Sequence, residues 1–149
     1  MKYLDKEGKE HYPVMGCYGI GIGRLAASVC EAHHDEYGPV WPAAIAPWQV
    51  HLCCVRPDNR EVKEYADRLY EEMTNAGIEV IYDDRSISAG VMFSEADLLG
   101  VPVRVIVSPR NMKEGCCEIV TRDKRIQKKA ALDEVMAVTE ALVAGNHAF

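Results

Sequence analysis

The sequence predicts an α/β protein whose core is an open, mixed five-stranded sheet: a βαβαβ unit, then an antiparallel hairpin and a closing helix, with a smaller hairpin and helix in front. Three observations predict it. Val62, Tyr65, Ala66, Leu69, Met73 and Ala76 recur at the spacing of one helical face. From residue 42 onward, short apolar runs of strand length alternate with helical stretches, and Gly or Pro separates them. Crossover connections of this length require parallel, right-handed pairing and place helices on both faces of the sheet.

Taken in order, residues 2–5 and 10–18 favour β structure around Asp5-Lys6-Glu7-Gly8, and residues 24–32 read as a helix. One hairpin and one helix cannot close a core alone. Gly38-Pro39-Val40-Trp41-Pro42 prevents helix or strand from running through, which divides the chain into residues 1–38 and 39–149. Residues 49–55 are an apolar run between Pro47 and Pro57, as expected of a buried strand. Asp58 and Glu61 have the spacing of a capping box at the start of the next helix, and Gly77 ends it. Residues 78–82 are the second strand, 88–99 a shorter helix stopped by Gly100, and 103–107 the third strand. Residues 116–122 and 125–129 then pair as a hairpin across Asp123-Lys124, a two-residue connection without its usual glycine. Leu132, Val135, Met136, Thr139, Leu142 and Val143 outline the closing helix, which ends at Gly145.

At 149 residues and 48% apolar composition, the chain is one globular domain with a short appendage. No apolar run approaches the about 18 residues of a membrane span, and Met1-Lys2-Tyr3-Leu4-Asp5 lacks the apolar centre of a signal peptide, so the expected compartment is the cytoplasm. The six cysteines have no Cys-x-x-Cys spacing and are expected to be reduced thiols, with no metal site. The adjacent pairs Cys53-Cys54 and Cys116-Cys117 point to opposite faces of a strand and cannot share a tetrahedral ion, which makes a redox or metal protein the weakest class.

The net charge of −6 argues against nucleic acid, but residues 102–129 hold eight basic and three acidic side chains. That segment is either a phosphate-binding surface or a lysine-rich edge that discourages sheet-to-sheet association. Ligands of an open parallel sheet collect beyond the carboxyl ends of its strands. Arg56-Pro57-Asp58, Asp83-Asp84-Arg85 and Ser108-Pro109-Arg110 all fall on that rim. Guanidinium groups offer flat, paired donors that match phosphates and the O6/N7 edge of guanine. The alternative for Arg85 is a structural ion pair with Asp83 or Asp84.

The second constellation is Met15-Gly16-Cys17-Tyr18-Gly19-Ile20-Gly21-Ile22-Gly23-Arg24. Glycines at 19, 21 and 23 strip one face of a strand, so that a flat ligand can lie on backbone, and Arg24 arrives as the helix begins. Close strand–helix packing explains the alternation equally well. The pattern is neither the dinucleotide fingerprint nor a Walker loop.

This stretch resembles motif 3 of the class II aminoacyl-tRNA synthetases, in the form carried by prolyl-tRNA synthetases. The residues that follow are similar to the anticodon-binding domain of the same enzymes: Pro42-Ala43-Ala44-Ile45-Ala46-Pro47-Trp48-Gln49-Val50, Tyr82-Asp83-Asp84-Arg85, the run from Ala89-Gly90-Val91-Met92-Phe93 to Gly100-Val101-Pro102, and Arg110. The resemblance covers nearly the whole chain in the right order. It implies an anticodon-binding-domain-like fold over residues 39–149, and over residues 1–38 the end of a class II catalytic domain. It further implies that Arg24 holds ATP near its γ-phosphate over a floor of Gly19, Gly21 and Gly23, and that Cys17 edges the prolyl pocket. Asp84 and Arg85, with Arg56 and Arg110, would meet the anticodon of proline tRNA.

Phe93 would stack on a base or, as aromatic residues at helical spacing more often do, fill the core. Met92 stands where some branches carry lysine, which puts a base contact there in doubt. The full-length enzyme that the resemblance implies uses ATP and Mg2+, binds proline and proline tRNA, and is a homodimer, with no membrane partner. Motifs 1 and 2, an editing domain and a zinc-binding extension have no counterpart in this sequence. The isolated chain, as a C-terminal portion, is therefore expected to be catalytically silent and to need no cofactor. The competing class is a freestanding binding module on the same fold, against which the synthetase-like stretch 18–24 argues.

Overall fold

The structure, a computed structural model, describes residues 1–145. The predicted front hairpin is β1 (Tyr3–Leu4) paired antiparallel with β2 (Glu10–His11), shorter than expected. Asp5 organises its turn by accepting the backbone N–H groups of Glu7 and Lys9, each at 2.9 Å. Residues 12–21 then run without helix or strand up to α1 (Ile22–Ala32), which begins two residues before the predicted start and buries no residue. A two-residue pairing of β3 (His34–Asp35) with β4 (Gly38–Pro39) follows, so the Gly-Pro stretch that was expected to exclude a strand holds a short one.

The predicted sheet is present. β5 (Val50–Cys54) lies parallel to β6 (Val80–Asp83) on one side and to β7 (Val103–Val107) on the other. β8 (Cys116–Thr121) and β9 (Gln127–Ala131) extend it antiparallel, giving the order β6-β5-β7-β8-β9. Because β6 and β7 flank β5 on opposite sides, right-handed crossovers put their helices on opposite faces. α2 (Arg60–Asn75) and α5 (Val135–Val143) cover the face that carries Leu52, Val105 and Ile119. α3 (Ala89–Leu99) covers the other face, where Met92 meets Cys53 and Ile106. The alternation of β5 therefore sends Cys54 into the large core and Cys53 into the small one.

Local chemistry explains the differences from expectation. The cap of α2 is Asn59 rather than Asp58: its carboxamide oxygen accepts the N–H groups of Glu61 and Val62 at 3.1 and 3.3 Å. A short helix that the sequence reading omitted, α4 (Pro109–Lys113), fills the connection after β7, with Ser108 capping Asn111 N–H at 3.2 Å and Pro109 opening the first turn. The β8–β9 connection is longer than Asp123-Lys124. It runs over residues 122–126, closed by Thr121 N–H donating to Ile126 O at 2.9 Å, and Lys124 takes the left-handed backbone (φ 59°) in place of glycine. Leu132 packs on the core ahead of the closing helix, which starts at Val135. Gly100 ends α3 in the left-handed region, φ 71°.

Candidate nucleic-acid interface

The carboxyl ends of β5 and β7 lie side by side, at the point where the strand order reverses. Arg56 and Arg110 meet there: with Asp58, Asn59, Ser108 and Pro109 they line a cavity of about 510 Å³. Arg56 is exposed, has no ion-pair partner among the described residues, and sits at φ 67°, a conformation that few non-glycine residues adopt. Arg110 donates through Nε to Glu114 Oε1 at 3.3 Å, yet its side chain is 84% exposed and free to turn. A second groove of about 450 Å³ adjoins on the α3 side, where Phe93, Asn111, Glu118 and Lys129 join Arg110. Phe93 is half-buried, packs against the small core and stands beneath the guanidinium of Arg104, 5.8 Å from its ring centre. Phe93 thus fills the small core with one face, while the other borders the groove.

Arg85 stands on the rim but outside that cavity, beyond β6 at the sheet edge. Its Nε and Nη2 donate to the two carboxylate oxygens of Asp83 at 2.9 and 2.8 Å, and Nη2 also reaches Glu95. The paired guanidinium holds the buried carboxyl of Asp83 below its usual range. The structural ion pair is therefore real, and it leaves half of Arg85 exposed. Asp84 is fixed differently, 3.3 Å from Lys63 Nζ, which also binds Asp67.

The basic segment 102–129 does not present all its charge. Arg104 and Arg122 turn inward, to Asp97 and to Asp35. Arg110, Lys113, Lys124, Arg125 and Lys129 remain exposed. Met92 lies wholly inside the core, so its side chain makes no contact on the surface.

Two features escaped the sequence reading. His51 is buried in β5 among Arg104, Asp83 and Arg85, and neither ring nitrogen has a partner among the described residues; burial, reinforced by Arg104, lowers its pKa to about 4. The Phe93–Arg104 contact joins a helix to a strand, and only the register of β7 brings it about.

The glycine-rich stretch is not assembled into a floor. Cys17, Gly19 and Gly21 lie outside any strand and are exposed, Gly23 is inside α1, and Arg24 lies in that helix's first turn, its Nε 3.3 Å from where a Cβ on Gly21 would stand. The expected stripped strand face does not form, because among the described residues no neighbouring strand pairs with it. These residues by themselves do not form a pocket that fits ATP.

All six cysteines are free, and burial pushes the thiols of Cys53 and Cys117 up to about 12. Among the described residues no group of three or more His, Cys, Asp or Glu side chains could hold a metal ion, and no helix is long and apolar enough to cross a membrane.

The chain is thus an open α/β sheet module with two arginines meeting above the carboxyl ends of its central parallel strands. Residues 49–142 match the anticodon binding domain family, and the chain belongs to it. Its relatives include a proline–tRNA ligase of Dehalococcoides mccartyi, 46% identical over 134 residues that make up 90% of this chain and 24% of that protein. A proline–tRNA ligase of Treponema denticola is 50% identical over 112 residues, 75% of this chain and 19% of that one. The chain thus spans about a quarter of the length of the curated relatives it matches. Among solved structures, prolyl-tRNA synthetase from Cryptosporidium parvum, complexed with L-proline and AMP, shares the fold with a TM-score of 0.73 at 22% identity, covering 97% of this chain and 30% of that one. The resemblance to the C-terminal part of prolyl-tRNA synthetases, read from motif 3 and the rim, is borne out by these relatives.

Proposed function

We propose that the rim above β5 and β7 reads the anticodon loop of proline tRNA, in support of the ATP-dependent attachment of proline to that tRNA. The observation that carries this reading is the meeting of Arg56 and Arg110 on one cavity at the strand-order reversal. RNA sequence is read on splayed single-stranded bases, and an anticodon loop offers them. The adjoining groove supplies three chemistries at once: the Phe93 ring to stack on a base, the Glu118 carboxylate to accept from a guanine Watson–Crick edge, and Arg110 to donate to its O6 and N7. Asp84 and Arg85 bound the loop on the β6 side.

Proline, ATP and Mg2+ belong to the whole ligase, together with its homodimeric assembly and its place in the cytoplasm. The division near residue 38 separates the part that reads RNA from the part that contributes Cys17, the glycines 19, 21 and 23, and Arg24 to an adenylating site. Attack of the proline carboxylate on the ATP α-phosphate depends on positioned cations more than on acid–base groups. Arg24 is the cation this chain brings to that step, through a pocket that other residues must complete. Purified alone, the 149-residue chain is expected to give no proline-dependent ATP–pyrophosphate exchange.

The test is binding of a proline anticodon arm against an arm with its guanines substituted. Tighter binding of the first, with a further loss in Arg110→Ala, is the expected result. Equal affinity for both arms overturns the reading.

A further inference from the structure

We propose that the pair formed by buried Arg122 and partly exposed Asp35 is a positioning clamp: it fixes the segment that carries α1 into the α/β domain, and so sets where α1 stands relative to the RNA-reading rim. Its link to the rim rests on the function proposed above. Arg122 follows the last residue of β8, and its side chain is only 1% exposed. Nη1 and Nη2 donate to the two carboxylate oxygens of Asp35 at 2.6 and 2.7 Å. Nη2 also donates to Gly38 O at 3.2 Å, and Nε to Asp97 O at 3.1 Å. One guanidinium thereby joins three elements remote in sequence: the β3–β4 pairing, α3 and the end of β8.

An exposed ion pair would be a weak constraint, but here the arginine is desolvated and its planar fork is matched by the carboxylate, which dictates geometry as well as attraction. The carboxyl of Asp35 is held well below the usual carboxylate range, chiefly by its hydrogen bonds to Arg122. The Asp97 carboxylate takes Arg104 Nη2 at 2.5 Å, so the network continues into β7.

The backbone around the clamp is equally close. Trp41 N–H donates to Gly100 O at 3.3 Å and its indole N–H to Leu99 O at 3.1 Å. Lys124 stands 4.2 Å from the Tyr37 ring centre, over the outer side of the same seam. The end of α1 hands on to this seam directly, since His33 N–H closes the helix on Val29 O and Val40 N–H donates to His33 O at 2.8 Å. Among the described residues α1 fully buries no side chain, so within this chain it is residues 33–41 that tie the helix to the α/β domain.

The experiment measures the distance distribution between spin labels on Cys30 of α1, in a Cys17→Ser background, and on Glu61→Cys in the first turn of α2. Hydrogen exchange of β5 and β7 and binding of the anticodon arm are followed in parallel. The parent chain is expected to give a narrow distribution. Asp35→Asn is expected to broaden it by about twofold, with β5 and β7 still protected and RNA affinity changed by less than about twofold. Because Asp35→Asn leaves a buried cation with only the Asp97 carboxylate, 3.9 Å from its Nε, the double variant Asp35→Ala/Arg122→Met removes both charges of the pair together and is expected to broaden the distribution likewise. Distributions as narrow as the parent's in folded variants overturn the clamp. Loss of protection in β5 and β7 in both variants also overturns it, since the pair would then hold the domain together rather than position α1. Failure of the parent chain to bind the arm counts against the rim alone, because the label distances are measured without RNA.

Discussion

α1 and α2 are both amphipathic, and only one of them has a core to serve. α2 buries Val62, Tyr65, Ala66, Leu69 and Met73 against the sheet. α1 buries nothing, and Ile22 and Leu25 stand 76% and 51% exposed. The same local code therefore writes a helix in both places, while the burial that stabilises it comes from partners that the code does not specify. In α2 those partners are β5, β6, β7 and α5; in α1 only Val29 and Cys30 are even partly covered among the described residues.

The sharpest test of that contrast is truncation of the two apolar faces. Met73→Ala is expected to cost about 2–5 kcal/mol in urea unfolding, and Leu25→Ala less than about 0.5 kcal/mol. Comparable losses at the two positions would erase the distinction. Next comes acid. His51 is neutral in the folded chain down to a pKa of about 4 but takes a proton near 6.5 when unfolded, so the unfolded state binds more protons between those values. Stability is complete above pH 6.5 and falls by on the order of 3 kcal/mol as the pH drops to 4, a slope that His51→Leu removes and that substitutions in α1 leave alone. Asp35 and Asp83, both held low by arginine, add their own loss only below about pH 4.

A third prediction separates the regions by RNA. Arg110→Ala is expected to weaken binding of the proline anticodon arm by about 1–3 kcal/mol, while Arg24→Ala leaves it unchanged. An equal loss for both would mean that the arm lies across the appendage. The smallest difference is within one turn of chain: Asn59→Ala is expected to cost about 1 kcal/mol and Asp58→Ala a few tenths at most, by thermal unfolding.

The βαβαβ order, the hairpin and the closing helix could be read from the sequence because each core-facing residue sits in its own periodic pattern, and β7 matched to the residue. What could not be read depends on partners. Asp58 and Asn59 are equally good caps by type, and only the backbone angle at the turn selects Asn59. Lys124 can replace a turn glycine because Asp123 accepts Thr121 Oγ1–H at 2.6 Å and Arg125 N–H at 3.1 Å, a local bond set invisible in composition. On the rim, position along the chain placed Arg56 and Arg110 together and offered Asp83 as a partner for Arg85, but it gave no sign of the second partner, Glu95, on α3. The charge count of the basic segment likewise could not reveal that two of its arginines are consumed inside the fold. The glycine alternation is the opposite case: a strand needs a neighbour, and residues 17–21 have none among the described residues.

Gly100 carries a last consequence. A Cβ there would stand 2.3 Å from Pro39 O, and the left-handed backbone already resists any side chain. One methyl group is thus a wedge one carbon wide, able to prise the leading segment from the end of α3 while every charge in the molecule stays as it was.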